Sequence, residues 1–387
     1  MRRLLFLACA VVFIDVTFFA VLTPLLPDFR DRFSLGEGGA GVLAGSFAAG
    51  TLVMAMPAGW IAARFGPRRT MIAGLVGIGV FSPLFGFVDH LWLLDGSRFL
   101  QGAAGSLMWC GAISWVISSA PLNSRGRMMG MVIAAAVMGE LLGAPLGALA
   151  HHIGTEIVFG MVLFAAVALI ALAMTVPPAA EVDGQPISSA VTALRRSDVP
   201  RSSLVLAGPS IAFGLVVVVA PLRMDVLGAT PALIAAAFVA GSVIEVVTGP
   251  LVGHFSDRAG RTLPYLVGLV TSASAIIGIG VFGLLPVLFA AVMFASFGAG
   301  LSFTPASTLV TDAATASGLN QGYASGAANV AWGGGQMIGA VGGGFLAGIA
   351  GYLLPTLIVV GILAATAAVA RGTDLPLPAE GVREGVG

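Results

Sequence analysis

The segment GELLGAPLG at residues 139–147 has a counterpart, GQMIGAVGG, at residues 335–343. The two segments share three glycines and one alanine at an offset of 196 residues. Two further patterns recur at nearly the same offset: Pro24-Leu25 as Pro221-Leu222, and Gly59, Arg64 and Gly66 as Gly253, Arg258 and Gly260. A nearly constant offset along the chain indicates an internal duplication. We therefore predict two similar halves.

The composition places both halves in a lipid bilayer. Of the 387 residues, 58% are hydrophobic and 9% are charged, and the mean hydropathy is +1.01, which excludes an ordinary soluble domain. A membrane-spanning helix needs about 20 mostly apolar residues. We predict twelve such spans, numbered in chain order, at residues 4–26, 38–62, 70–88, 91–119, 128–150, 155–176, 203–222, 231–254, 263–285, 287–311, 323–349 and 353–370. The expected fold class is an all-α membrane protein whose twelve transmembrane helices form two parallel six-helix repeats.

A long polar break divides the spans six and six. We predict an N-terminal bundle at 1–176, a cytoplasmic linker at 177–203, a C-terminal bundle at 204–371 and a cytoplasmic tail at 372–387. Because six is an even number, both halves begin on the same side of the membrane, so the repeat is parallel. Parallel halves with a site between them suit alternating access.

The basic residues, all of them arginine, predict the orientation. Fourteen of the eighteen fall on the side of the N-terminus, whereas Arg30, Arg32 and Arg223 fall on the other side and Arg98 lies within a span. The positive-inside rule then places both termini of a multi-pass cell-membrane protein in the cytoplasm. With zero net charge we expect no nucleic-acid partner. We find no motif for a metal, a nucleophile or a phosphate-binding loop.

The loop after span 2, GWIAARFGPRR at 59–69, resembles the loop signature of the major facilitator superfamily, and the resemblance extends over nearly the whole chain. Ala63 stands where that signature has aspartate, whereas the second copy retains Asp257. The resemblance implies a cytoplasmic gate in which salt bridges, and a carboxylate near a helix N-terminus, hold helix ends together. The gate residues would be Gly59, Arg64, Gly66, Gly253, Asp257, Arg258, Gly260 and Arg261. Alternatively, these arginines only set the topology.

Span 4 contains RFLQG at 98–102, similar to the superfamily motif whose arginine is linked to proton coupling. A buried arginine is costly and needs partners. Asp95, three residues earlier on the same helix face, is the partner we expect for Arg98. A purely structural ion pair is the alternative.

Span 5 resembles the glycine and proline motif of the proton-antiporting exporters. The matching residues are Gly130, Gly139, Gly143, Pro145 and Gly147. The proline falls one place later than in that family, and Gly147-Ala148 replaces a final glycine pair. Tight helix packing would use the same residue types, so it remains an alternative.

Span 1 adds a related pattern: residues 14–17, IDVT, followed by Pro24 and Pro27. This resembles the first helix of the drug:proton antiporters and of the vesicular amine transporters. Phe47 and Ala220 stand where the amine transporters have a lysine and a glutamate. We therefore do not expect an amine neurotransmitter as substrate.

Three carboxylates lie deep within predicted spans: Asp15 and Glu140 near the centre, and Glu245 in the cytoplasmic half of span 8. Carboxylates at such depth are suited to carry protons. We assign proton coupling to Asp15, Glu140, Arg98 and Glu245. We assign the substrate cavity to Asp15, Glu140, Asn329, Trp332 and Gln336, the last being the repeat equivalent of Glu140. Neutral carboxyls bonded across helices, and ordinary packing of the polar and aromatic residues, are the alternatives.

Together these features favour a monomeric, proton-coupled antiporter that exports a small organic compound such as a drug, toxin or metabolite. The proton gradient would supply the energy, so we expect neither a cofactor nor an enzymatic activity; the partners are substrate, protons and lipid. Two alternatives remain open: a proton-coupled importer of a sugar, organic acid or other nutrient, and a non-transporting membrane sensor or scaffold. A channel fits less well, because no span has a repeated polar stripe.

Overall fold

The computed structural model describes residues 1–121, 124–178, 185–186, 188, 192–193 and 198–371, without the side chains of Gly126 and of residues 249–259. The predicted tail and most of the predicted linker lie outside these residues. Within the described ranges all regular elements are helices. In a bilayer no water satisfies backbone groups, and a helix satisfies them within its own segment.

The described part of the chain contains twelve membrane-spanning segments, as predicted. Eleven of them are long and apolar enough to cross a membrane, and span 11 reaches that length when its three segments are taken together. In order they are Arg2–Ala20 with Leu22–Arg32, Glu37–Phe65, Pro67–Phe87, Leu91–Ser119, Arg125–Ile153, Thr155–Thr175, Val199–Val226, Pro231–Ala259, Thr262–Val281, Leu285–Ala316, Gln321–Met337 with Ile338–Gly342 and Gly343–Ala350, and Leu353–Arg371. We call the side holding Arg2, Phe65 and Gln321 the near face, and the side holding Arg32, Glu37 and Ala350 the far face.

The packing of the spans repeats between the halves. Span 1 packs against span 5 and span 2 against span 4, just as span 7 packs against span 11 and span 8 against span 10. Spans 3 and 9 occupy equivalent outer positions, against spans 4 and 6 and against spans 10 and 12. The halves meet where span 2 packs against span 11 and span 5 against span 8. The predicted pair of parallel six-helix repeats is confirmed.

The repeated glycine segments pack in the same way in both halves. The glycines in contact are Gly139, Gly143 and Gly147 against span 1, and Gly335, Gly339 and Gly343 against span 7. A Cβ at Gly143 would lie 2.5 Å from the carbonyl oxygen of Thr17. Gly130 differs, because nothing lies within 4 Å of the same position there. Close helix approach therefore uses three of the four motif glycines.

The backbone hydrogen bonding of spans 1, 5 and 11 departs from that of a regular α-helix. Pro24 has no amide hydrogen to donate to the carbonyl of Ala20, and span 1 breaks at Val21. In span 11 residues Ile338–Gly342 form a π-helix. The equivalent stretch of span 5 remains α-helical but contains Pro145, which removes one backbone hydrogen bond. Both halves thus have a weakened helix at the same depth, and π-helical segments often occur at functional sites.

Candidate functional site

Asp15 is the most deeply buried carboxylate in the centre of the first half. It lies near the middle of span 1 and is 3% exposed. Its Oδ2 accepts a hydrogen bond from Nε1 of Trp109 in span 4, at 2.8 Å. Its Oδ1 is buried without a hydrogen-bond partner among the described residues. Gly105 makes room for this oxygen, because a Cβ there would lie 2.7 Å from it.

Arg98 is equally buried and lies within electrostatic range of Asp15. Its guanidinium donates to the carbonyl oxygens of Phe18, at 3.0 Å, and Phe19, at 2.7 Å, and to Oε1 of Gln101, at 2.8 Å. The predicted pairing with Asp95 is wrong. Backbone carbonyls beside the break in span 1, together with the Gln101 amide, accept from the two terminal nitrogens of the guanidinium, whereas its Nε has no partner among the described residues.

Four aromatic side chains form a central aromatic cluster that joins the halves. Phe19 contacts Phe47 of its own half, with ring centroids 5.1 Å apart. It also contacts Phe213 and Trp332 of the second half, at 6.4 and 5.8 Å. The guanidinium of Arg98 lies 4.9 Å from the ring centroid of Phe47, so a cation borders the cluster.

Asn329 and Gln336 flank Trp332 on span 11. Asn329 reaches across to span 4, where its Nδ2 lies 3.5 Å from Oγ of Ser106. Gln336 is 1% exposed, and its Oε1 has no partner within the described part of the chain. The structure therefore places Asn329 and Trp332 toward the first half, close to the helices that hold Asp15.

Glu140 and Glu245 form a separate pair where span 5 meets span 8. Both are half-buried, and their carboxyl groups interact electrostatically. Glu245 lies at the middle of the helix Pro231–Ala259, and its expected depth in the membrane stays a prediction. Asp15 makes its contacts with span 4 instead. The predicted proton-coupling set is therefore divided between two places.

At the near face the two copies of the loop signature end their helices alike. Gly66 and Gly260 both have a φ of +88°, a conformation that glycine adopts without strain. Gly59 packs against the backbone of Gly322, Arg64 is exposed, and Arg261 forms a salt bridge with Asp312 at 2.7 Å. The side chains of the other predicted gate residues, Gly253, Asp257 and Arg258, lie outside the described part.

Some site residues were not predicted. Gln101 and Trp109 follow Arg98 by three and by eleven residues, which places them on one face of span 4. That spacing was a usable signal. No local sequence pattern indicated the far-face salt bridge between Arg30 and Asp225. This salt bridge is 2.8 Å long and joins the halves.

Among the residues that the structure describes, no three histidine, cysteine or carboxylate side chains are grouped as a metal site. Cys9 and Cys110 are free thiols within spans 1 and 4.

Comparison with known proteins agrees with this architecture. Multidrug resistance protein 2 of Bacillus subtilis (strain 168) is 28% identical over 166 residues, 43% of this chain and 41% of that protein. The MFS-type transporter ppzB of Metarhizium majus (strain ARSEF 297) is 30% identical over 149 residues, 37% of this chain and 32% of that protein. The matched stretches thus span about a third to two fifths of these relatives.

Two solved structures share the fold over nearly the whole chain. The human organic anion transporter MFSD10 (TETRAN) superimposes with a TM-score of 0.74 and 16% identity, covering 95% of this chain and 99% of that one. A D-xylose-proton symporter gives a TM-score of 0.73 and 16% identity, covering 95% of each chain. The family model of the Major Facilitator Superfamily matches residues 6–217 and 203–384. This chain therefore belongs to the Major Facilitator Superfamily of membrane transporters.

Proposed function

We propose that this transporter is a proton-coupled antiporter that exports a small organic compound by alternating access. The observation that carries the proposal is the environment of Asp15. This carboxyl is almost fully buried at the middle of its span, and one of its oxygens has no donor. A carboxylate held in this way can take up and release a proton, which changes the charge of the central site.

Arg98 and Trp109 both favour the charged form of Asp15. The Trp109 N–H donates to the carboxylate, and the nearby guanidinium favours its negative form. Protonation would remove the negative charge that these two groups stabilise. Proton binding at Asp15 and substrate binding beside it would then exclude each other, which is the requirement for antiport.

The surroundings favour a substrate that is amphipathic and cationic. The central aromatic cluster offers apolar and π surfaces, and Asp15 and Asn329 offer a charge and an amide. Gln336 would add a second amide on the side of the second half. The name of the multidrug resistance relative supports a drug or toxin, and a metabolite of similar chemistry fits equally well.

Glu140 and Glu245 would provide a second proton position. Two carboxyl groups facing each other avoid like-charge repulsion when one of them holds a proton. Because they belong to different halves, their protonation would respond to the separation of spans 5 and 8 during transport.

The remaining features follow the sequence predictions. We assign the near face to the cytoplasm of a cell-membrane protein, and a monomer as the working unit. The proton gradient supplies the energy without a cofactor, and no chemical conversion of the substrate is involved.

The test uses purified full-length protein in a weakly buffered solution, screened with varied organic compounds for proton release on binding. We expect release from the native protein and none from Asp15→Asn, with a reduced yield from Glu140→Gln. Glu156→Gln, an exposed far-face carboxylate, is the matched control and should release protons normally. Unchanged release from both Asp15→Asn and Glu140→Gln contradicts the proposal.

Direction is measured in proteoliposomes under an imposed pH gradient. Accumulation of the compound against the proton flow supports export, whereas accumulation with it makes the chain a proton-coupled importer. If no compound moves protons, a sensor or scaffold is the better assignment.

A further inference from the structure

A cavity of about 250 Å³ opens at the near face, away from the central site. It lies between the end of span 2, the end of span 4, the start of span 5 and the first turn of span 11. Among the described residues that line it, Arg125 is the one charged side chain, and none is a carboxylate. Most of its wall is apolar, as in many ligand sites, where a few polar groups orient the ligand.

The internal repeat explains why the described wall of the cavity has no carboxylate at position 63. Ala63 lines it, and the equivalent residue of the second half is Asp257. An alanine methyl leaves space where a carboxylate would extend. The side chain at this position of the first half is therefore smaller than the aspartate of the second copy of the loop, and it has no negative charge.

The groups around the cavity are mainly hydrogen-bond donors. Gln321 and Gly322 belong to the first turn of span 11, whose amides have no partner within the helix and whose dipole attracts anions. Asn320 accepts from the amide of Tyr323 at 3.1 Å, and its own Nδ2 is buried without a partner among the described residues. Arg125 uses its Nε on the carbonyl of Ala120, at 3.2 Å. Its terminal nitrogens supply the positive charge.

Ser114 provides an independent indication of a missing ligand. It lines the cavity and is only 7% exposed, yet its Oγ has no hydrogen-bond partner in the described structure. A buried hydroxyl without a partner is costly, because it has lost water and gained nothing in return. An acceptor placed in the cavity would remove this cost.

We propose that this cavity binds a phosphate-type oxyanion, which takes the place of the carboxylate that Ala63 lacks. The anion would connect Arg125 of the first half with the start of span 11 of the second half, and so hold the near face closed. The same chemistry is available from free phosphate and from the headgroup of an anionic lipid. This site is separate from Asp15, and its occupation does not depend on the substrate that is transported.

The experiment measures the unfolding temperature of the full-length protein in detergent as inorganic phosphate is added at constant ionic strength. We expect a saturable rise. Arg125→Gln should raise the half-saturating phosphate concentration about tenfold or more, because a charge-assisted contact is lost. Ala63→Asp should unfold at a higher temperature without phosphate and should no longer respond to it. Ala63→Asn, which has the same size without the charge, should not gain this stability.

A second titration uses phosphatidylglycerol added to the same micelles. A response to the lipid alone identifies a headgroup as the ligand, and a response to phosphate alone identifies the free anion; either supports the site if Ala63→Asp abolishes it. The proposal is overturned if neither ligand stabilises the native protein. It is equally overturned if the native protein, Arg125→Gln and Ala63→Asp respond alike, since the anion then acts elsewhere.

Discussion

At the scale of single residues, the central site is organised around span 4. Trp109 and Arg98 face span 1, where they bind the carboxylate and the carbonyls beside its break. Gln101 accepts a hydrogen bond from Arg98 and donates one to a carbonyl of span 3. A buried network of this kind stabilises one arrangement only when its members have partners. Among the described residues of this network, Oδ1 of Asp15 and Nε of Arg98 have no partner, and Oδ1 is where we expect exchange with substrate or proton.

Replacing Trp109 by phenylalanine tests the donor to Asp15. Trp109→Phe retains an aromatic ring but removes the N–H group, so the carboxylate loses a charge-assisted hydrogen bond. Such a bond is worth about 1.5–3 kcal/mol, so we expect transport in proteoliposomes to fall about tenfold or more. The control is Trp60→Phe, at the near face beside Phe65, which should retain native transport. Equal activity of the two variants would rule out a role for the Trp109 donor.

Replacing Arg98 by lysine tests the buried hydrogen bonds of its guanidinium. A lysine ammonium cannot reproduce a planar fork that reaches two carbonyls and an amide. We expect Arg98→Lys to lose at least about 2 kcal/mol of stability, measured by chemical unfolding. Arg68→Lys is the control, because Arg68 makes an exposed contact with the carbonyl of Met174, and it should change stability little. A larger loss of stability in Arg68→Lys than in Arg98→Lys would be inconsistent with a stabilising role for the Arg98 contacts.

At the scale of helices, the glycine segments of spans 5 and 11 allow close approach to spans 1 and 7. Both segments also contain a weakened backbone, at Pro145 and at Ile338–Gly342. The combination places a close contact and a bend at the same depth in each half. Sliding or bending of spans 5 and 11 would therefore move equivalent surfaces.

Alanine substitution separates packing from other roles of the span 5 motif. Gly143→Ala should lower the unfolding temperature and the transport rate, because its methyl group would meet Thr17 and Ala20 of span 1. Gly130→Ala belongs to the same motif but enters open space, so it should be neutral or slightly stabilising. If Gly130→Ala impairs transport as strongly, packing against span 1 does not explain the motif.

The helices could be predicted from the sequence because apolar length and the internal repeat are properties of the chain itself. The site was predicted only in part. Asp15 and Arg98 are visible as charges inside spans, but their partners depend on which helix faces which. The Asp95 pairing failed because spacing on one helix does not reveal a carbonyl offered by another. Likewise, the hydropathy of span 11 gave no sign of its π-helical segment.

At the scale of the whole molecule, the halves are joined at both faces. At the far face Arg30 bridges to Asp225, and at the near face Gly59 packs against Gly322. Alternating access requires that these connections open in turn. The structure therefore represents a form in which neither connection is broken.

Charge exchange tests the far-face connection. Arg30→Asp and Asp225→Arg should each reduce transport, since each leaves like charges opposed across the halves, and the double exchange should restore a large part of it. The salt bridge between Arg32 and Asp89 is the control, because both residues belong to the first half. Exchange of that pair should leave transport near the native level. Failure of the Arg30 and Asp225 double exchange to recover more activity than either single variant would argue against a gate at this position.

The contact between Phe19 and Trp332 makes the boundary between the halves visible to spectroscopy. An indole ring held against phenyl rings emits at shorter wavelength than one that meets water, so Trp332 reports whether the halves are in contact at the centre of the membrane. The chain has five tryptophans, and replacing Trp60, Trp92 and Trp115 by phenylalanine leaves Trp332 together with Trp109, the donor to Asp15. A matched Trp332→Phe variant then identifies the part of the emission that comes from the boundary. Emission recorded during turnover would then time each opening without any attached dye.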